Sequence, residues 1–131
     1  MTTPSIAIML LGNAQAASSR SALHFARAAL AQGVRIECVF LYHDAVHIAS
    51  TLQHAFQDER SCALEWQQLC EQQQINAIAC IASAIKRGVY NAEEATRYQK
   101  PAASLHPNIE LAGLGSWLEA LSRASQHVVF G

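Results

Sequence analysis

Residues 75–90 read INAIACIASAIKRGVY: an apolar run that reaches Cys80, continues as a short alanine-rich segment and stops at Lys86-Arg87-Gly88. An apolar run without strict polar alternation, bounded by turn residues, is the pattern of a strand covered on both faces, as strands of a parallel sheet are. The spacing predicts a strand over residues 75–79 and a short helix over about 81–86, with Cys80 at the junction.

Working outward, four further β-like runs cover residues 5–11, 36–41, 109–112 and 127–130. Helical patterns lie between them. A serine-capped helix over about 18–31 would bury Ala22, Phe25, Ala26, Ala29 and Leu30, with Gly33 just beyond its end. A second, over about 58–73, sets Cys62, Trp66 and Leu69 at helical spacing and exposes Glu59, Gln67, Gln68 and Gln72. A last helix over about 116–125 leads into the final strand. Residues 43–57 are polar and histidine-rich without a clear period, and read as loop plus a short helix. Strand and helix alternate, which predicts an α/β fold: one domain over residues 1–131, a three-layer α/β/α sandwich of flavodoxin-like architecture with about five mostly parallel strands. Its expected core is Ile6, Ile8, Val39, Leu41, Ile78, Val128 and Val129 with the inner helix faces.

The chain has 131 residues, 51% of them apolar and 15% charged, with a net charge of −1. That length can bury a core without disulfides or structural metal. Nine scattered Lys and Arg argue against direct contact with nucleic acid, which needs clustered cations. The opening MTTPSIAIMLLG lacks a basic n-region, and its apolar stretch is far shorter than a membrane span, so a cytoplasmic, non-membrane protein is expected. Cys38, Cys62, Cys70 and Cys80 form no CxxC pair, so reduced thiols are expected, with neither a disulfide framework nor a zinc site.

In an open parallel sheet, ligands and reactive groups gather at the carboxyl ends of the strands. Those ends are Gly12-Asn13, Tyr42-His43-Asp44, Cys80, and Gly113 to Gly115. Cys80 is the one thiol among them. At a helix start, free N–H groups and the helix field favour a thiolate, which would make Cys80 nucleophilic; a small residue packed at a strand end is the other reading. Cys38 lies inside a strand. His43 or Asp44 could tune or deprotonate Cys80 if their loop folds over it. His43, Asp44 and His47 in YHDAVH read as a solvated loop more readily than as a metal site. LGNAQAASSRS has one glycine and neither GxGxxG nor GK[ST], so it reads as a capped turn, and no cofactor is expected. Gly113 and Gly115 fit either close backbone approach to the thiol pocket or ordinary turns.

IACIASAIKRGVY, preceded by ALEWQQL, together with RIECVFLYHDAVHIAS, SALHFARAALAQG and IELAGLGSWLEALSRASQHVVF, resembles the DsrE/TusD sulfur-relay family over nearly the whole chain. The resemblance rests on the ordered set, above all the cysteine at a strand end followed by a short helix and RG. It implies a persulfide carrier in which Cys80 accepts sulfane sulfur and passes it to a small partner's C-terminal cysteine. It also implies assembly with homologous subunits, typically as a heterohexamer, or self-association. The sulfur would serve wobble 2-thiouridine formation in tRNA or, in sulfur oxidisers, dissimilatory sulfur metabolism. The chain departs from the family pattern in lacking a Tyr-Gly element in its first loop and in having Ala45 where glycine is usual. Two other classes compete: a noncatalytic assembly subunit with Cys80 merely packed, and a nucleotide-binding protein resting on fold analogy alone.

Overall fold

The computed structural model describes residues 3–131. Among them, five strands, β1 (Ser5–Leu10), β2 (Arg35–Leu41), β3 (Ala77–Cys80), β4 (Ile109–Ala112) and β5 (Gln126–Phe130), form one sheet in the order β4-β3-β2-β1-β5. Every pairing in it is parallel. Five α-helices accompany it: α1 (Ala17–Ala31), α2 (Cys62–Gln72), α3 (Ile81–Lys86), α4 (Ala92–Arg97) and α5 (Leu114–Arg123), with a 3-10 helix over His43–Ala49 after β2.

Side chains alternate across the sheet and sort into two cores. Ile6, Ile8, Leu10, Val39, Leu41 and Ala79 face α1 and α2, packing with Leu23, Ala26, Cys62, Trp66 and Cys70. Ala7, Met9, Cys38, Phe40, Ile78 and Cys80 face the other way and pack with Trp117 and Ala120 of α5. Helices thus cover both faces, as the unbroken apolar strands require. Trp66 is fully buried and its indole N–H donates to the Ser19 carbonyl (3.1 Å), so α1 and α2 are joined by both packing and a hydrogen bond.

Several expectations need correction. Cys80 is the last residue of β3 rather than the residue after it, and the strand starts at Ala77. Before it, Gln74 takes a left-handed turn and the Ile75 N–H bonds the Cys70 carbonyl, so the chain is still leaving α2. No serine caps α1: its cap is Ala16, while Ser19 donates its hydroxyl to the Gly12 carbonyl (2.8 Å). The inner stripe of α1 is Ala22, Leu23 and Ala26; Phe25 is turned outward and meets the Phe130 ring at 5.6 Å. The second helix starts at Cys62, where Ser61 accepts the Leu64 N–H. Gln67 is buried, because its amide supplies donors to the carbonyls of Ile48 (2.7 Å) and Ser50 (3.1 Å) at the end of the 3-10 helix. Val129 is 48% exposed and Val128 half-buried, because β5 is an edge strand with one neighbour. The last helix begins at Leu114, two residues early, and α4, capped by Asn91, has no counterpart in the sequence reading.

Glu65 of α2 receives hydrogen bonds from Arg20, Arg27 and Arg60. Burial pushes its carboxyl up, but the bonds and charge of Arg20, with those of Arg27 and Arg60, reverse this and hold it below its ordinary 4.5. A group whose folded pKa is depressed stabilises fully above the unfolded value and loses that contribution as pH falls through the folded one. Glu65→Gln should therefore lower stability to urea by on the order of 1 kcal/mol at neutral pH. The gap from wild type should close in acid below pH 4.5. A gap that persisted unchanged in acid would contradict the ionic origin.

Candidate functional site

The parallel register sets Cys80 beside Ala112 at the carboxyl edge of the sheet. Cys80 is also the cap residue of α3, with φ −59° and ψ 120°. The strand-to-helix junction read from the sequence is thus in place, but α3 has only six residues, so its field is far shorter than that of a long helix. The sulfur's surroundings are mainly apolar and aromatic. Cys80 is 4% exposed and shares a cluster with Phe40, Ile78 and Trp117, against which Tyr42 and Ala112 pack. The Phe40 ring lies 6.0 Å from Trp117 and 6.4 Å from Tyr42.

Gly88 ends α3 with φ +79°, a left-handed conformation that a side chain would strain. The Val89 N–H then returns to the Ala84 carbonyl (2.9 Å), so the chain turns away from the site at once.

The other three thiols are buried in packed elements: Cys38 in β2, Cys62 and Cys70 in α2. Burial pushes Cys38 and Cys70 up to about 12 and raises Cys62 as well. They are therefore poor nucleophiles near neutrality.

His43 and Asp44 bond to Ser83 and Arg87 of the α3 segment, the helix that Cys80 caps. The His43 backbone N–H donates to Ser83 Oγ (3.1 Å), in the first turn of α3. The His43 imidazole is exposed and lies 4.2 Å from the Tyr42 ring. The Asp44 carboxylate accepts from Arg87 Nε (2.8 Å), and that bond holds it below its ordinary range. Asp44 is thus engaged with Arg87, the arginine of the KRG segment. His47, the third polar residue of YHDAVH, is half-buried. Among the described residues, no group of three or more His, Cys, Asp or Glu is placed to hold a metal ion, and no helix is long and apolar enough to cross a membrane.

The glycines resolve differently from one another. A Cβ on Gly113 or Gly115 would meet nothing within 4 Å, so neither marks a close backbone approach. A Cβ on Gly12 would lie 2.7 Å from that of Ala16, so this glycine serves the tightness of its own turn.

The sequence reading did not single out Trp117, which shares the cluster with Cys80, or Ser83 and Arg87, which bond the turn that carries His43 and Asp44. Arg87 carried a local signal, since an arginine beside a helix-ending glycine can reach back to the last turn. Trp117 is distant in sequence and had none.

These features define a parallel α/β protein with a shielded thiol at the carboxyl edge of its sheet. The DsrE/DsrF-like family model matches residues 5–130. The chain is 44% identical over 125 residues to the sulfurtransferase TusD homolog of Pseudomonas aeruginosa, covering 95% of each protein. It is 40% identical over 120 residues to the DsrE protein of Allochromatium vinosum, covering 92% of each. The crystal structure of the E. coli YchN protein superposes with a TM-score of 0.73 over 98% of this chain and 100% of that one; at 16% identity this bears on the fold alone. The chain belongs to the DsrE/DsrF-like family.

If burial keeps the strand and α2 thiols protonated, N-ethylmaleimide at neutral pH should leave Cys38 and Cys70 unmodified in the folded protein, and urea should make all four cysteines reactive. Peptide mapping reads this directly. Labelling of Cys38 or Cys70 without denaturant would contradict their packing.

Proposed function

We propose that the chain is a sulfurtransferase subunit that carries sulfane sulfur on Cys80 as a persulfide. The observation that carries this reading is the position of Cys80: it ends β3 at the carboxyl edge of the sheet, in a chain that aligns over 95% of its length with a relative named as a sulfurtransferase. In the loading step the Cys80 thiolate attacks the outer sulfur of a donor persulfide, R–S–SH. A bond from Sγ to that sulfur forms, the donor S–S bond breaks, and the donor leaves as R–S⁻, while the proton stays on the transferred sulfur. Unloading repeats the exchange with an acceptor thiolate, which takes the outer sulfur and regenerates the Cys80 thiolate. Sulfur moves between thiols with no net oxidant or reductant, so the chemistry calls for no cofactor.

Phe40, Tyr42 and Trp117 would shield the persulfide from water and adventitious thiols. An acceptor with its cysteine on a C-terminal tail suits a sulfur this enclosed. Exposed Leu114, Leu118 and Val129, on α5 and β5, support association with homologous subunits, as a heterohexamer, or self-association when the chain is alone. His43, exposed and with its ring against that of Tyr42, is the neighbour proposed to exchange protons with the thiol. The pathway proposed is tRNA wobble 2-thiouridine synthesis; the likeness to a DsrE protein favours dissimilatory sulfur oxidation as the second reading. A noncatalytic assembly role would draw on the burial of Cys80.

Incubation with a cysteine desulfurase and labelled cysteine, followed by intact mass analysis, separates these readings. Wild type should gain one sulfur, and Cys80→Ser should stay folded and oligomeric but lose the adduct and all transfer. An adduct that survives in Cys80→Ser would name another cysteine. No adduct in wild type, with a competent donor and homologous subunits present, would leave the assembly role.

A further inference from the structure

Two segments some forty residues apart are fastened together along α3, the helix that Cys80 caps. Arg87 donates from Nε to the Asp44 carboxylate (2.8 Å) and from Nη1 to the Ser83 carbonyl (3.2 Å), so one guanidinium joins the turn after β2 to the body of α3. Ser83 itself accepts the His43 N–H through its hydroxyl (3.1 Å). Between these two fastenings His43 has φ +52°, a conformation that a residue with a side chain keeps only when its surroundings hold it. Tyr42, adjoining, packs against the cluster that contains Cys80.

We propose that Arg87 is a positioning residue for Cys80: by gripping Asp44 and the Ser83 carbonyl at once, it clamps the Tyr42–His43 turn against the first turn of α3 and so sets access to the buried sulfur. The role as a sulfur carrier is the reading given above, on which the biological meaning of the clamp rests. The clamp itself is tested by chemistry that does not involve sulfur transfer. A planar fork with two donors can hold both partners, whereas an ammonium holds one at a time. The Asp44 side chain is exposed, so salt should weaken the grip.

The experiment is the rate of Cys80 alkylation by iodoacetamide at neutral pH, read by peptide mass spectrometry, with thermal melting as the control for folding. Arg87→Gln and Asp44→Asn should each speed alkylation about threefold, the scale on which an exposed ion pair shifts an opening equilibrium. The double variant should be no faster than Arg87→Gln alone, because Asp44→Asn only weakens a contact that Arg87→Gln already removes. Arg87→Lys should fall between wild type and Arg87→Gln. Added salt should speed wild type while leaving the double variant unchanged, a signature that general loosening would not give. Should Arg87→Gln fail to fold, Asp44→Asn, which alters only an exposed carboxylate, carries the test. Unchanged rates in the single variants, or additive effects in the double, would overturn the proposal. Sulfur uptake from a desulfurase is measured in parallel: clamp-dependent alkylation without any sulfur adduct would sink the carrier reading alone, and an adduct with clamp-independent alkylation would sink the clamp alone.

Discussion

The parallel pairing of β1 with both β2 and β5 is the constraint on which the rest of the structure depends. All six residues of β1 are buried, and its register with β5 from Ile6 opposite Gln126 to Leu10 opposite Phe130 brings the end of the chain back across the sheet. Strands β2, β3 and β4 extend from one side of β1, so the return to β5 carries α5 over the face opposite α1 and α2. That return delivers Trp117 to Phe40 and to the cluster around Cys80. The sulfur's shield is therefore a product of the last crossover, although the cysteine comes from the third strand.

A doubly wound sheet offers its open crevice where the strand order reverses, here between β1 and β5. Cys80 ends β3, two strands away. Noncovalent ligands need a crevice; a cargo held by a covalent S–S bond needs a reachable sulfur and protection from competing thiols. The aromatic cover around Cys80 and the turn bonded by Arg87 suit the second, proposed kind of cargo better than the first. In the proposed carrier, burial and reactivity would pull against each other at the sulfur, and access rather than affinity would be the quantity to control.

What the sequence revealed follows the range of the forces involved. β4 and α3 were legible to the residue, since a short apolar run and a helix stopped by Arg87-Gly88 are local signals. The place of Cys80 at the strand-to-helix junction was legible for the same reason. The edge position of β5 was not, because exposure of Val129 depends on which strand pairs with which. Gln67 looked like a surface residue until the 3-10 helix turned its carbonyls toward it. The clamp at the site was hidden for a like cause: His43 and Asp44 were visible as polar residues at a strand end, but their partners Ser83 and Arg87 lie 40 and 43 residues further on.

The central claim, that sulfur resides on the cysteine at the end of β3, is tested most directly by fragmentation mass spectrometry of wild-type protein loaded by a cysteine desulfurase. Trypsin releases residues 61–86 as one peptide with Cys62, Cys70 and Cys80, so backbone fragments between Cys70 and Cys80 assign the added atom. The account predicts one extra sulfur on the fragments that contain Cys80 and none on those that contain only Cys62 or Cys70. Sulfur on either α2 cysteine, or on the separate peptide that carries Cys38, would contradict it.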